Sequence, residues 1–181
     1  MKMPRLILAL GLALPALVGG SAGAQTRAIL DEQIMETVKQ FKQLDPRNAA
    51  LAQRAAAMLV FPQITKGGIA LASEYGEGAL RIDDATVDYY SIAAASVGLT
   101  AGMATHSEVI LFMTAGALDQ FRTSKGWSIA ADTGIAVITK GKATDYDSAA
   151  VNKPILAFEF AEKGLIADLS LEGSKINKIR K

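Results

Sequence analysis

His106 is the only histidine in the chain, and it stands in Thr105-His106-Ser107-Glu108, where hydroxyl, imidazole and carboxylate follow one another directly. Such groups could run nucleophilic or acid–base chemistry if a fold brought them within hydrogen-bond reach of one another. Neighbours in sequence do not form a relay without an unusual loop, so this stretch reads as a polar turn and His106 as a loop residue. The acids are similarly spaced for solvent. Asp83, Asp84 and Asp88, and Asp145 with Asp147, lack the central glycine and terminal glutamate of a calcium loop, and are expected as turn carboxylates. Asp132 and Asp168 would have to meet across a sheet to act as a hydrolytic pair. No catalytic residue, no metal ligand set and no cofactor is expected.

Two glycine patterns invite a phosphate-binding reading, and both fail. Gly76-Glu77-Gly78 begins a dinucleotide fingerprint, but the third glycine position is Arg81 and a strand is expected to follow where that motif needs a helix. Gly141-Lys142 resembles the end of a phosphate loop, yet Ala136 and Ala143 occupy the positions that need glycine and a hydroxyl. Gly67, Gly68, Gly76 and Gly78 read instead as corners of a sheet, where glycine adopts backbone conformations that other residues resist.

The cations point to anionic surfaces. Lys175, Lys178, Arg180 and Lys181 crowd the C-terminal end around Ile176 and Ile179, a mixture suited to a lipid headgroup layer at about 1 kcal/mol per cation. Lys125 beside Trp127, and Lys66, Lys140 and Lys142 elsewhere, complete the lipid-binding candidates. Trp127 fits either an interfacial anchor or the core.

These residues need elements to hold them. Leu30, Ile34, Val38, Phe41 and Leu44 recur at helical spacing between Thr26 and Leu44. Asp45-Pro46 breaks the chain and caps a second, alanine-rich helix that is expected to run to Leu59 and to end by Pro62. After Gly67 the period changes to two. Gly164 to Glu172 and Ile155 to Phe160 alternate as strands, the second turning Leu156, Phe158 and Phe160 to one side. Ile129, Ala131, Ile135 and Val137 mark another strand, and Thr86 to Val97, Leu99 to Ala104 and Glu108 to Phe112 are further ones. Ala115 to Ser124 reads as a short helix with Leu118 and Phe121 inward. The fold class expected is α+β: two N-terminal helices packed on a curved antiparallel sheet, a sandwich or partial barrel, with one further short helix.

The 181 residues are half hydrophobic and only 20% charged, which suits one packed domain. Without cysteine there is no disulfide, thiolate site, cysteine nucleophile or lipid-attachment cysteine. Residues 1–24 read as a signal peptide: Lys2 and Arg5 precede an apolar stretch from Leu6 to Val18, and Ala22-Gly23-Ala24 supplies the cleavage site. The expected mature chain, residues 25–181, is exported by the general secretory route to the periplasm, peripheral to a membrane. It keeps 17 basic and 18 acidic residues, for a formal charge of −1. That disfavours nucleic acid as a partner.

Six segments in order, VFPQITKGG, YGEGAL, SVGLTAG, LFMTAGALDQF, GWSIAADTGIAV and KGLIADLSLEGSKI, resemble the blocks of the SYLF domain family in its bacterial exported form. The resemblance runs from about Ala55 to Ile179. It implies lipid binding, with phosphoinositides and membranes as ligands of fungal and animal members and actin as a ligand of some fungal ones, and it implies no enzymatic activity. It also implies that the Phe-Pro, Lys-Gly-Gly and Tyr-Gly-Glu-Gly elements are scaffold corners, leaving Lys66 as a headgroup contact. Two departures stand out. Ile69, Ala70, Leu71, Ala72 and Ser73 occupy a stretch where members often carry further glycines. Asp31, Glu32 and Glu36 offset Lys39 and Lys42 in the first helix, so the basic amphipathic helix of eukaryotic members is not reproduced. Phospholipid or a membrane surface is therefore the expected partner of this non-catalytic module, with an envelope protein as the alternative, and actin is not expected for an exported chain.

Overall fold

The computed structural model describes residues 26–69, 71–97, 102–128, 134–138, 152–161, 164–165 and 174–181. The signal segment, Ile129, Ala131, Asp132, Lys140, Lys142, Asp145, Asp147 and Asp168 lie outside these, as does most of the strand expected from Gly164 to Glu172.

Helix α1 spans Arg27–Leu44 and buries Leu30, Ile34, Val38 and Phe41, the stripe read from its spacing. Asp45 ends it and caps α2 (Pro46–Arg54) by accepting from the Arg47 backbone N–H at 2.8 Å, with Pro46 at the first helical position where no N–H is needed. The buried Asn48 amide donates to the Phe41 carbonyl at 3.1 Å and fixes the corner between the helices.

The second helix stops short of Leu59. Strand β1 runs Ala57–Ile69, followed by β2 (Leu71–Ile82), β3 (Ala85–Val97) and β4 (Gly102–Phe112). Ala57, Leu59 and Phe61 enter one hydrophobic cluster while Met58 and Val60 enter another, so the run is apolar because both its faces are covered. A continuous apolar run of that kind does not distinguish helix from strand. Pro62 does not end a helix either. It sits at a bulge, where the register of β1 shifts between Val60 and Gln63, and the shift moves Ile64 onto the face that Leu59 and Phe61 share.

Helix α3 (Ala115–Thr123) follows, capped by the Thr114 hydroxyl and burying Leu118 and Phe121. Then come β5 (Trp127–Ser128), β6 (Ile135–Ile138), β7 (Ile155–Ala161), β8 (Gly164–Leu165) and β9 (Lys175–Ile179). Among the described residues nine strands form one sheet in the order β5-β9-β3-β2-β1-β4-β7-β6, with β8 on β7. The α+β class and the curved sheet are as expected. The pairing is antiparallel except for β6 on β7, which is parallel.

Each face of the sheet carries its own core. On one, α1 and α2 cover Met58, Val60, Val109, Leu111, Leu156, Phe158 and Phe160. On the other, α3 and Trp127 cover Leu59, Phe61, Ile64, Leu80, Tyr90, Ile110 and Phe112. Strand β7 is buried on both faces: Leu156, Phe158 and Phe160 point together as expected, and Ile155 and Ala157 fill the opposite side. Of the pair expected to share a face in β6, Ile135 packs on the α3 core, whereas Val137 is exposed.

Three further expectations are corrected. Gly76 and Gly78 are not in a turn but in the middle of β2, opposite Ile64 and beside the bulge. A Cβ on Gly78 would overlap the Val60 carbonyl oxygen and lie 2.6 Å from the Phe61 ring, so the glycines are needed for close approach of β1 to β2. Gly67 likewise lies within β1, not at its start. Thr105-His106-Ser107 is no turn: β4 runs straight through it, paired to β1. The turn between β2 and β3 is Asp83-Asp84, whose φ values of 48° and 62° suit a two-residue hairpin loop.

Candidate functional site

The strand pairing gathers a polar group on the α3 face that no spacing in the sequence reveals. His106 and Glu108 on β4 lie beside Glu159 on β7, and Lys66 on β1 lies opposite Glu74 on β2. The His106 Nε2 lies 3.2 Å from Glu159 Oε1, and Lys66 Nζ lies 2.7 Å from Glu74 Oε1. Burial holds His106 below its ordinary pKa, with Glu74 opposing and Lys66 also lowering it. Glu108 is 0% exposed and neither of its carboxyl oxygens has a hydrogen-bond partner. Desolvation, reinforced by Glu159 and Glu74, raises its pKa well above the usual range and so favours its protonated form.

This group does not assemble a nucleophile. The Ser107 hydroxyl donates to the Pro62 carbonyl at 2.8 Å, on the other face of β4 from His106. Among the described residues no set of three or more His, Cys, Asp or Glu is placed to hold a metal ion. An open groove of about 590 Å³ lies between α1 and the strands at the bulge, lined by amide and hydroxyl side chains such as Gln33, Thr37, Gln40, Gln63, Thr105 and Ser107.

The expected cationic tail is a strand. β9 pairs with β3 from Tyr89↔Ile179 to Ala93↔Lys175, and it buries Ile176. Its cations therefore have distinct positions. The Lys181 side chain is 6% exposed and donates to Glu77 at 2.5 Å, and the Lys181 carbonyl accepts from Arg27 at the start of α1. Lys178 is 62% exposed and lies 2.6 Å from Asp88, which Arg122 also approaches at 3.8 Å. Lys175, Arg180 and Lys125 are exposed. Lys66 is engaged by Glu74, and Trp127 is buried with its ring centroid 5.3 Å from Phe121, so the structure gives Trp127 the core position.

Residues 93–181, from the end of β3 through β9, match the family model described as Ysc84, Las17-binding protein actin regulator. This part of the chain belongs to the SYLF family. SYLF domains are binding domains, known for lipid and actin-related binding, and are not a known enzyme family. No curated protein matches the chain.

Against the sequence reading, the structure separates the SYLF cations that it describes instead of gathering them: Lys181 and Lys66 are held in part-buried pairs, whereas Lys175, Lys178, Arg180 and Lys125 face solvent. Glu108 and Glu159 were missed because their partners come from sheet pairing. Met103, 82% exposed, and Tyr75, 54% exposed, were also missed. The signal available for them was the absence of any charged residue from Tyr89 to Thr105 and from Gly67 to Ser73.

Proposed function

We propose that the domain is a non-catalytic binding module for phospholipid or a related amphiphile of the cell envelope, acting in the periplasm against a membrane surface. Family membership of residues 93–181 carries the reading. It is supported by the exposed cations of β9 and of the loop after α3, which offer anionic headgroups attraction of about 1 kcal/mol each near the surface. The engagement of His106 by Glu159 and of Ser107 by Pro62 fits a scaffold better than a reacting centre. Among the described residues no helix is long and apolar enough to cross a membrane; the contact proposed is peripheral.

Co-sedimentation with vesicles tests this directly. Binding to phosphatidylglycerol-containing vesicles at low salt is expected, weakening as salt shortens the screening length from about 30 Å at 0.01 M to about 10 Å at 0.1 M. Absence of binding to both anionic and zwitterionic vesicles at low salt overturns the reading. Recovery of one stoichiometric envelope protein after detergent removes lipid would point instead to an adaptor.

A further inference from the structure

The four-stranded region β3-β2-β1-β4 of the sheet is covered at one end and bare at the other. Near the bulge its faces carry α1 on one side and α3 with Trp127 on the other. Toward the β1–β2 connection the face on the α1 side is open, with Met103 and Thr105 exposed on β4, whereas on the α3 side Ala104 is exposed but Lys66 and Glu74 are part-buried. Ser73, Tyr75, Ala93 and Ala95 on the neighbouring strands are exposed as well.

Charge stops at one row of this sheet. In that row Ala94 pairs with Glu74, Glu74 with Lys66 and Lys66 with Ala104. Beyond it, β1 and β2 pair through Gly67↔Ser73, Gly68↔Ala72 and Ile69↔Leu71, and the sequence is uncharged throughout these positions and through Ala95 to Met103. Those three rows amount to about 10 Å of sheet. One row behind the Lys66–Glu74 pair stand Tyr75, paired with Ala93, and the exposed Lys175, also paired with Ala93. The order along the strand axis is thus an uncharged end, then a belt holding an exposed tyrosine and an exposed lysine.

We infer that this bare sheet end is the part of the molecule that enters the membrane, lying end-on in the interfacial layer with Tyr75 and Lys175 at headgroup level. The inference rests on the lipid-binding reading and names its site. Depth agrees, since interfacial elements bury about 5–10 Å below the headgroups. An open face that is uncharged and bounded by Tyr75 and Lys175 favours a bilayer interface over a protein partner. Open strand edges are not tolerated in dry hydrocarbon, so entry stops in the hydrated interface. A tyrosine belongs at that level, and a lysine there meets anionic phosphate. The geometry also ranks the β9 cations: Lys175 lies at the belt, Lys178 three residues further back, and Lys181 is held by Glu77.

The absence of native cysteine makes single-site labelling clean. Every described element lies between Arg27 and Ile179, so the chain from Gln25 carries the described fold, with the full chain as control. Met103→Cys and Val87→Cys, at opposite ends of the four-stranded region, are labelled with an environment-sensitive dye and mixed with phosphatidylethanolamine/phosphatidylglycerol vesicles. The dye at 103 is expected to shift to the blue and to be quenched from the lipid phase, while the dye at 87 stays in water. Met103→Asp and Ala95→Asp, both on exposed positions, should each weaken vesicle binding at least tenfold with unchanged thermal unfolding. Lys175→Gln should weaken binding to anionic vesicles about fivefold, the equivalent of roughly 1 kcal/mol, and Lys178→Gln less. Vesicle binding with the dye at 103 still in water and both aspartate variants unaffected overturns the inference but leaves lipid binding standing. A parent chain that binds no vesicle removes both. A blue shift without vesicles, accompanied by a doubled molecular mass, identifies the end as a contact between two copies and also overturns it.

Discussion

Strands β1 to β4 are continuous from one end of the four-stranded region to the other, yet the two ends live in different surroundings. At the bulge end of β1 and β4 successive residues enter the core under α1 and α2 and the core under α3 in turn, as Met58 and Leu59 do. At the far end successive residues such as Met103 and Ala104 both face solvent. Backbone pairing continues across the boundary with the same ladder, so the difference comes from the covering layers and not from the strands. A strand's length therefore says little about how much of it is buried, and the uncovered remainder is available for contact with something else.

The largest effect that would sharpen this contrast is expected at Phe158. Its ring meets Phe41 edge-on at a centroid distance of 4.8 Å, joining α1 to β7 in the fully buried layer. Phe158→Ala should lower the unfolding free energy by about 3–5 kcal/mol, through lost transfer energy and the cavity left behind. Met103→Ala at the bare end should stay within about 0.5 kcal/mol. Urea unfolding of the two variants measures the difference, and comparable losses would show that the bare end is not bare.

A smaller effect is expected where β1 and β2 approach most closely. Gly78→Ala places a methyl group against the Val60 carbonyl and the Phe61 ring, and the bulge at Pro62 leaves the backbone little freedom to retreat. Overpacking of this sort typically costs about 1–3 kcal/mol. Gly116→Ala provides the opposite sign within the same protein: nothing lies within 4 Å of the added methyl in α3, so a gain of about 0.5–1 kcal/mol in helix propensity should appear. Thermal unfolding of both variants separates close approach from conformational freedom as the reason for the glycines.

What the sequence makes legible follows the same boundary. The stripe of α1, the Asp45-Pro46 corner and α3 are readable because local spacing and capping determine them before any tertiary contact forms. The length of α2 and the start of β1 are not, since Ala55 to Phe61 is apolar at every position and only the presence of a core on each face makes it a strand. Tyr75-Gly76-Glu77-Gly78 reads as a turn because glycines usually mark one, whereas here they admit the bulged β1. His106 reads as a loop residue because its neighbours are polar, and its partner Glu159 is distant in sequence and arrives only through β4–β7 pairing. The C-terminal cations were visible as a group but not as four separate environments, because register on β3 decides which lysine meets Glu77, which meets Asp88 and which meets solvent. The uncharged run from Tyr89 to Thr105 was present in the sequence throughout, and it acquires meaning only when the layers are seen to stop short of it.

The boundary itself is marked by Glu108, and its titration offers the subtlest test. The carboxyl is buried next to the apolar core, with Glu159 and Glu74 on the same face and His106 and Lys66 in the polar group around them. Its native pKa is raised, so between the unfolded value near 4.5 and the native value the folded chain holds a proton that the unfolded chain releases. The folded state then loses stability as pH rises across that window, with a slope of at most about 1.4 kcal/mol per pH unit for one proton. Glu108→Gln keeps the shape, cannot ionise and should remove the slope: the variant should match the parent near pH 4 and exceed it in stability near pH 8. His106 acts in the opposite direction, because its lowered native pKa costs stability as pH falls below its ordinary value of 6.5, and His106→Gln controls for that contribution. Chemical denaturation from pH 4 to 9 on parent and both variants resolves the two slopes. If Glu108→Gln leaves the pH dependence unchanged, water reaches that carboxyl in solution, and the covered region ends closer to the bulge than the structure places it.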